Sequence, residues 1–284
     1  MKGKTVKRLA AFAVALAMIG SSLSAELGGI GLFDGFSLTA SAAQEAVSYT
    51  VYSWNNSTKT LSETTKTITD YKVVTKDIIK NSEDGNGILS GTYVVTQNTT
   101  VEDHLYIRKG CTVNLIVPKG VTLTCNKGIG CGYDKNKELA TLNIYGGGKI
   151  VANGMKYAAG IGGKDDETNG IITIHGTTIE ATGGKHAAGI GGGEGGQDPD
   201  GTTSIKIYAG DITATGGIDG AGIGGGDCQP GAHTYIYSGN ITASSQKHGA
   251  GIGGGDEEGT LGIFIYDGKI TATGGEGGAG IGAG

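Results

Sequence analysis

Three kinds of residue here have types and spacings that could do chemistry: acidic side chains bunched in glycine-rich loops, five histidines, and evenly spaced aromatics. The acids fall in runs: Asp165, Asp166 and Glu167; Glu194, Asp198 and Asp200; Asp227; then Asp256, Glu257 and Glu258. Clustered carboxylates are hard oxygen ligands, so Ca²⁺ is the ion such loops would take. Asp165, Asp166, Glu167, Asp256, Glu257 and Glu258 are the candidates. They lack the regular GGxGxDxUx spacing of calcium-binding β-rolls. Solvated loops that keep a glycine-rich surface soluble are the plainer reading, so no metal and no cofactor is expected. His186 and His248 occupy equivalent places in "KHAAG" and "KHGAG", with Asp219 between them. That reads as a repeat position of variable occupancy, not a catalytic dyad. Hydrolysis of a glycosidic bond needs two carboxylates facing one another across it, and no such pair is evident.

The elements that position these residues come from a repeat. "AAGIGG" at 158–163 returns as "AAGIGGG" at 187–193, "GAGIGGG" at 220–226 and 249–255, and "GAGIGAG" at 278–284. Its central glycines, 160, 189, 222, 251 and 280, lie about 29 residues apart, except where "GEGGQDPDGTT" is inserted. A fixed period of this size marks a solenoid. Between copies lie "LNIYGGGKIVANG", "ITIHGTTIEATGG", "IKIYAGDITATGG", "YIYSGNITASS" and "IFIYDGKITATGG". These alternate with period two, the signature of strands. The expected fold is therefore all-β: a right-handed parallel β-helix with about 29 residues and three strands per coil. Equivalent strands pair between coils, and Ile144/174/207/236/265, Ile150/179/212/241/270 and Ile161/190/223/252/281 form three inward columns. A dinucleotide-type phosphate loop is excluded, because that motif must open a helix and no copy is followed by one.

Alternation also assigns the aromatics. If Ile205 and Ile207 point in, then Tyr208 points out, and Tyr145, His175, Tyr208, Tyr237 and Tyr266 form one outward column. Its neighbour runs Asn143, Thr173, Lys206, Tyr235 and Phe264. The candidate ligand-binding residues are thus Tyr145, His175, Tyr208, Tyr235, Tyr237, Phe264 and Tyr266. Such a ridge suits a glycan, and it also suits a purely structural ladder of stacked rings. The ITAT strands present Thr213/Thr215, Thr242/Ser244 and Thr271/Thr273 outward. In AAGIGG, Ile161 points in, and Gly160 and Gly162 would form a bare outward wall.

Composition sets the remaining bounds. With 57 Gly, only 3 Pro and a formal charge of −5, the chain is neither collagen-like nor a simple disordered tract. Its acidity and its two arginines, Arg8 and Arg108, give no reason to expect nucleic acid as a partner. "MKGKTVKR" followed by "LAAFAVALAMIG" reads as an export signal ending near Ala42 or Ala43, its apolar run too short to span a bilayer. Residues 1–43 are the signal, 44–85 an N-terminal β-hairpin cap, 86–154 irregular first coils and 155–284 the repeats. "NKGIGCG" at 126–132 looks like a degenerate first copy of the motif. An extracellular or cell-surface location follows, with no transmembrane segment in the mature chain. Export permits a disulfide among Cys111, Cys125 and Cys131; small buried thiols are the alternative. The sequence stops within a repeat, so downstream domains of the same polypeptide are expected.

The "GTYVV…TVNLIVPKGVTLT" stretch followed by AGIGG…ITATGG repeats resembles secreted or surface right-handed β-helix proteins, of the pectin-lyase-like type, from Gram-positive anaerobes. The resemblance covers about residues 48–284. Some of that group are described as carbohydrate-binding, which implies a surface segment that binds a glycan or acts in adhesion. Polysaccharide lyases and hydrolases share the fold, so an enzyme is the rival expectation, and a plain stalk is a third.

Overall fold

In the computed structural model, residues 44–79, 87–133, 138–198 and 201–284 are described. The export signal expected at residues 1–43 lies outside them. Among the described residues, three parallel sheets run from Lys72 to Gly282, holding eight, seven and seven strands. The first, here the Tyr sheet, orders Lys72–Val73, Gly91–Val94, Thr112–Ile116, Thr141–Tyr145, Ile171–His175, Ser204–Ala209, His233–Ile236 and Ile263–Ile265. The Thr sheet runs from Thr99–Val101 through Thr122–Cys125, Lys149–Asn153, Thr178–Thr182, Asp211–Thr215 and Asn240–Ser244 to Lys269–Thr273. The Gly sheet stacks the Ile-Gly pairs, from Leu105–Tyr106 and Ile129–Gly130 to Ile281–Gly282. Each coil contributes one strand to each sheet. The degenerate copy at 126–132 is a full member, with Ile129 opposite Ile161. The coil before it, through Leu105, has no glycine motif to announce it.

Register is what makes the core. Ile144 faces Leu115 and Ile174, Ile174 faces Ile207, and Ile207 faces Ile236. These residues, with Ile150, Ile179, Ile212, Ile241, Ile161, Ile190, Ile223 and Ile252, are almost fully buried. Each contributes roughly 1.5–3 kcal/mol by apolar burial. The inward row Leu142–Ile172–Ile205 meets Thr234 instead of an aliphatic side chain, and the Thr234 hydroxyl donates to the Ala232 carbonyl at 3.2 Å. A buried hydroxyl satisfied within its own strand costs little. In the last coil the same columns are open: Ile265 is 40 % and Ile281 47 % exposed.

The expectation of a bare outward glycine wall is corrected. The glycines of the repeat are buried from Gly160 to Gly255. At the glycine after each Ile, φ lies near +140°: 143° at Gly162, 144° at Gly191, 138° at Gly224 and 147° at Gly253. L side chains rarely adopt that backbone. A Cβ added at Gly191 would also run into the Gly224 carbonyl oxygen of the next coil. Side chains are absent because the neighbouring backbone fills their place. Gly163 N–H donates to Gly191 O at 2.8 Å and Gly192 N–H to Gly224 O at 2.8 Å, which continues the ladder through this corner.

Residues 44–79 divide into a hairpin and a segment that follows it. β1 (Val47–Asn55) and β2 (Thr60–Ile68) pair antiparallel. The Asn55 side chain accepts from Ser57 and Thr58 N–H at 2.9 and 3.1 Å to close the turn. This hairpin does not sit on the end of the stack; it lies along the Tyr sheet. The first coil is met by the segment after it. Lys72–Val73 pairs with Gly91–Val94, and Val74 and Ile78 are buried in the core. All four cysteines are free. Cys125 and Cys131 are fully buried, and burial pushes both thiols up to about 12, so they act as small apolar side chains.

Two glycine substitutions test the close-approach argument. Gly191→Ala is expected to destabilise by about 3 kcal/mol or more, combining backbone strain with a steric clash. Gly147→Ala, where the nearest atom to a new Cβ is Lys119 Cβ at 3.8 Å, is expected to be near neutral. Urea midpoints measure both, and equal effects would refute the argument.

Candidate binding surface

The Tyr sheet brings the candidate aromatics together as the alternation requires. Rings stack in succession: Tyr145 on His175 at 4.6 Å, His175 on Tyr208 at 4.8 Å, Tyr208 on Tyr237 at 4.6 Å and Tyr237 on Tyr266 at 5.1 Å. A register shift after Ile174 sets His175 opposite Ala209, and stacking continues across it. The second column is aromatic only at its far end, where Tyr235 lies on Phe264 at 4.9 Å with planes 11° apart. Lys206 Nζ is 6.0 Å from the Tyr235 ring centroid.

Most of the first column is not free. β1 crosses it, with Tyr49 edge-on to Tyr145 at 5.2 Å. Trp54 lies against Tyr237 at 5.3 Å and Tyr266 at 5.0 Å. From Tyr49 to Trp54 an extended strand advances about 17 Å, and three to four coils at about 4.8 Å advance the same distance. The hairpin is therefore matched to the stack it crosses. Between these anchors the Tyr52 N–H donates to His175 Nδ1 at 3.1 Å. That bond needs Nδ1 unprotonated. Burial, with the Lys66 charge as a smaller influence, lowers the His175 pKa to about 4. Burial also raises the Tyr145 and Tyr208 phenols, and lifts Tyr237 to about 12 with help from its ring neighbours. The rings most open to solvent are Phe264 (43 % exposed) and Tyr266 (39 %), both in the last coil, with Tyr235 half-buried beside them.

The acidic candidates do not converge as a set. Glu167 is buried and pairs with Lys109 at 2.7 Å and Lys164 at 3.7 Å. Asp165 is exposed; Asp166 and Glu257 occupy left-handed corner positions, with φ of 60° and 57°. Glu258 N–H closes the turn onto Gly255 O at 3.2 Å. Asp256 belongs to a different group, made by the repeat itself. The residue three before each central glycine and the residue five after it form two adjacent columns. Asp227 N–H donates to His186 O at 2.8 Å and Asp256 N–H to Asp219 O at 2.9 Å, which clamps the columns side by side. His186, Asp219 and His248 then line up along the axis, with Glu194, Asp227 and Asp256 beside them. The sequence reading placed His186, Asp219 and His248 at one repeat position but took Glu194, Asp227 and Asp256 for solvated loop residues. Aligning the repeats on the central glycine is the signal that places them together.

A family model described as a beta helix repeat matches residues 142–163, 172–194, 205–227, 235–256 and 265–284. The chain is a parallel β-helix protein. Each matched segment begins in the Tyr sheet and ends just past the Gly sheet, so one match is one coil of the β-helix. None of the curated proteins and none of the solved structures compared with the chain matches it. The coils of the β-helix before residue 142 carry the same three strands with fewer glycines. Among the described residues, no helix is long and apolar enough to cross a membrane.

A buried histidine, His175, and a half-buried one, His104, make the β-helix sensitive to acid. Burial, then Lys164 and Lys127, lowers His104 to about 4, the same value as His175. In the unfolded chain both take up a proton near 6.5. Between pH 6.5 and 4 the unfolded state binds more protons, so stability falls as pH falls, by up to about 1.4 kcal/mol per pH unit for each histidine. His175→Gln is expected to reduce this slope by about half relative to wild type between pH 6.5 and 5, in urea titrations across that range. An unchanged slope would refute the assignment of His175.

Proposed function

We propose that this chain is an exported, non-catalytic β-helix that binds an extended glycan on the aromatic end of its Tyr sheet. The observation that carries the reading is the parallel pair Tyr235–Phe264, beside Tyr237–Tyr266 at 5.1 Å and 4°, with Phe264 and Tyr266 open to solvent. Flat rings one coil apart offer faces for successive sugar rings, and aromatics are enriched at recognition surfaces. Trp54 extends the same patch from the hairpin side, and Lys59 Nζ stands 5.7 Å over the Tyr266 ring. The export signal read at residues 1–43 supports an extracellular or cell-surface setting, where glycans are the abundant ligands. Its partner is thus a glycan of the surface or medium, held without a cofactor.

A second reading has its own support. The hairpin occupies the ladder from Tyr145 to Tyr237, and stacked cross-strand rings stabilise a sheet by about 0.2–1 kcal/mol per pair. A structural stalk needs no more than that.

A glycan array decides between them, using wild type and Tyr235→Ala/Phe264→Ala. Binding by wild type with at least a tenfold loss in the variant is the expected result. No binding by wild type supports the stalk, and undiminished binding in the variant moves the site off this face. New reducing ends or unsaturated uronates after incubation with polysaccharide would overturn the non-catalytic reading in favour of a lyase or hydrolase.

A further inference from the structure

The two columns beside the Gly sheet hold a group that neither a stalk nor a glycan platform requires. Asp219 sits between two imidazoles from the coils on either side. Its Oδ2 is 2.6 Å from His186 Nδ1 and its Oδ1 is 2.7 Å from His248 Nδ1. Asp227 Oδ2 is 3.1 Å from the same His186 nitrogen, and Asp256 Oδ2 is 3.7 Å from His248 Nδ1. Glu194 completes the first group. The donor atoms of His186, Glu194 and Asp227 lie within 4.8 Å of one another, as do those of Asp219, His248 and Asp256.

Two features distinguish this from an ordinary hydrogen-bonded cluster. The first is charge. Four carboxylates converge on two imidazoles, and among the described residues no lysine or arginine forms an ion pair with any of the four. The second is unmet bonding. His186 Nδ1 and Glu194 Oε2 are both buried from solvent without a hydrogen-bond partner. The carboxylates near His186 are close, but neither lies where its N–H would point. An unpaired buried acceptor and an excess of negative charge are each costly. A cation would relieve both.

We propose that the β-helix binds two divalent cations of the Zn²⁺ class here, one at His186–Glu194–Asp227 and one at Asp219–His248–Asp256. Asp219 bridges them and ties three successive coils together. Imidazole nitrogen with carboxylate oxygen selects Zn²⁺ or a neighbouring first-row ion; Ca²⁺ takes six to eight oxygens. Tetrahedral Zn²⁺ with bonds of about 2.0–2.2 Å holds its ligand atoms roughly 3.3 Å apart. The 2.6–3.1 Å contacts around His186 therefore need to open by less than 1 Å. Sites and coils are in phase, so each ion is held by neighbouring turns and not by one flexible loop.

The test is calorimetric titration of ZnCl₂ into the untagged, EDTA-stripped chain at pH 7. A Cys228→Ser background is used because the exposed Cys228 thiol lies 3.3 Å from Asp227 Oδ1 and could take the ion itself. Two ions per chain are expected, at micromolar affinity or tighter, undisturbed by a hundredfold excess of Ca²⁺. Glu194→Gln should leave one ion and Asp219→Asn none. Co²⁺ should give a visible absorption band that Asp219→Asn abolishes. Fewer than one ion bound, displacement by Ca²⁺, or stoichiometry unchanged in Glu194→Gln overturns the proposal. Glu194 is only partly buried, so that variant keeps the test decisive even if Asp219→Asn fails to fold.

Discussion

The whole architecture depends on coils meeting in fixed register at backbone-to-backbone distance. Parallel pairing alone fixes the separation of neighbouring strands at about 4.8 Å, but it is the Gly corner that lets the coils close on each other. There the carbonyl of one turn occupies the space a Cβ would need on the turn before. Once that corner is closed, equivalent positions must stack, and every column in the molecule follows. Isoleucines stack into a core, aromatics into a ladder, and the His186/Asp219/His248 positions into a line of titratable groups. One constraint therefore generates stability and candidate chemistry together.

The hairpin uses that regularity from outside. A two-stranded ribbon is at best marginally stable alone. Here it finds a partner whose repeat matches its own rise, and it places Tyr49 and Trp54 on rings three to four coils apart. Trp54 Nε1 is buried without a partner, a cost that the contacts of its ring with Tyr237 and Tyr266 offset. The His175 acceptor at the middle of the crossing ties the ribbon to the neutral form of that imidazole. Sheet, ladder and ribbon are in this sense one unit, and among the described rings of this sheet Phe264 and Tyr266 of the last coil are the most open to solvent.

The fold was legible in the sequence because its signals are local and repeated. Ile205, Ile207 and Tyr208 declare their faces by alternation, and four further coils say the same thing. Two features were not legible, each for a physical reason. Glycine permits both signs of φ, so AAGIGG could not reveal that Gly162 and Gly191 take the positive one or that another backbone lies against them. The docking of Tyr52 on His175 joins residues 123 apart in sequence, and no pattern within β1 or β2 points to it. The residues expected to cap the first coil divide: Lys72–Val73, Val74 and Ile78 meet that coil, while the hairpin lies along the Tyr sheet, because its Tyr and Trp declare a surface to be covered, not which one. The line from His186 to His248 was within reach, since both histidines and Asp219 share one repeat position. Reading Glu194, Asp227 and Asp256 as solvated loop residues hid that the same alignment places them beside that line.

The central claim is that the hairpin is docked across the stacked coils, and the single tryptophan, Trp54, reports on it directly. Native Trp54 emission, read with acrylamide quenching at neutral pH, is the decisive measurement. The account predicts blue-shifted, shielded emission that moves to the red and becomes quenchable in Tyr237→Ala/Tyr266→Ala, with the far-UV circular dichroism of the solenoid retained. Solvent-like emission in the wild type, indifferent to the loss of both rings, would contradict it.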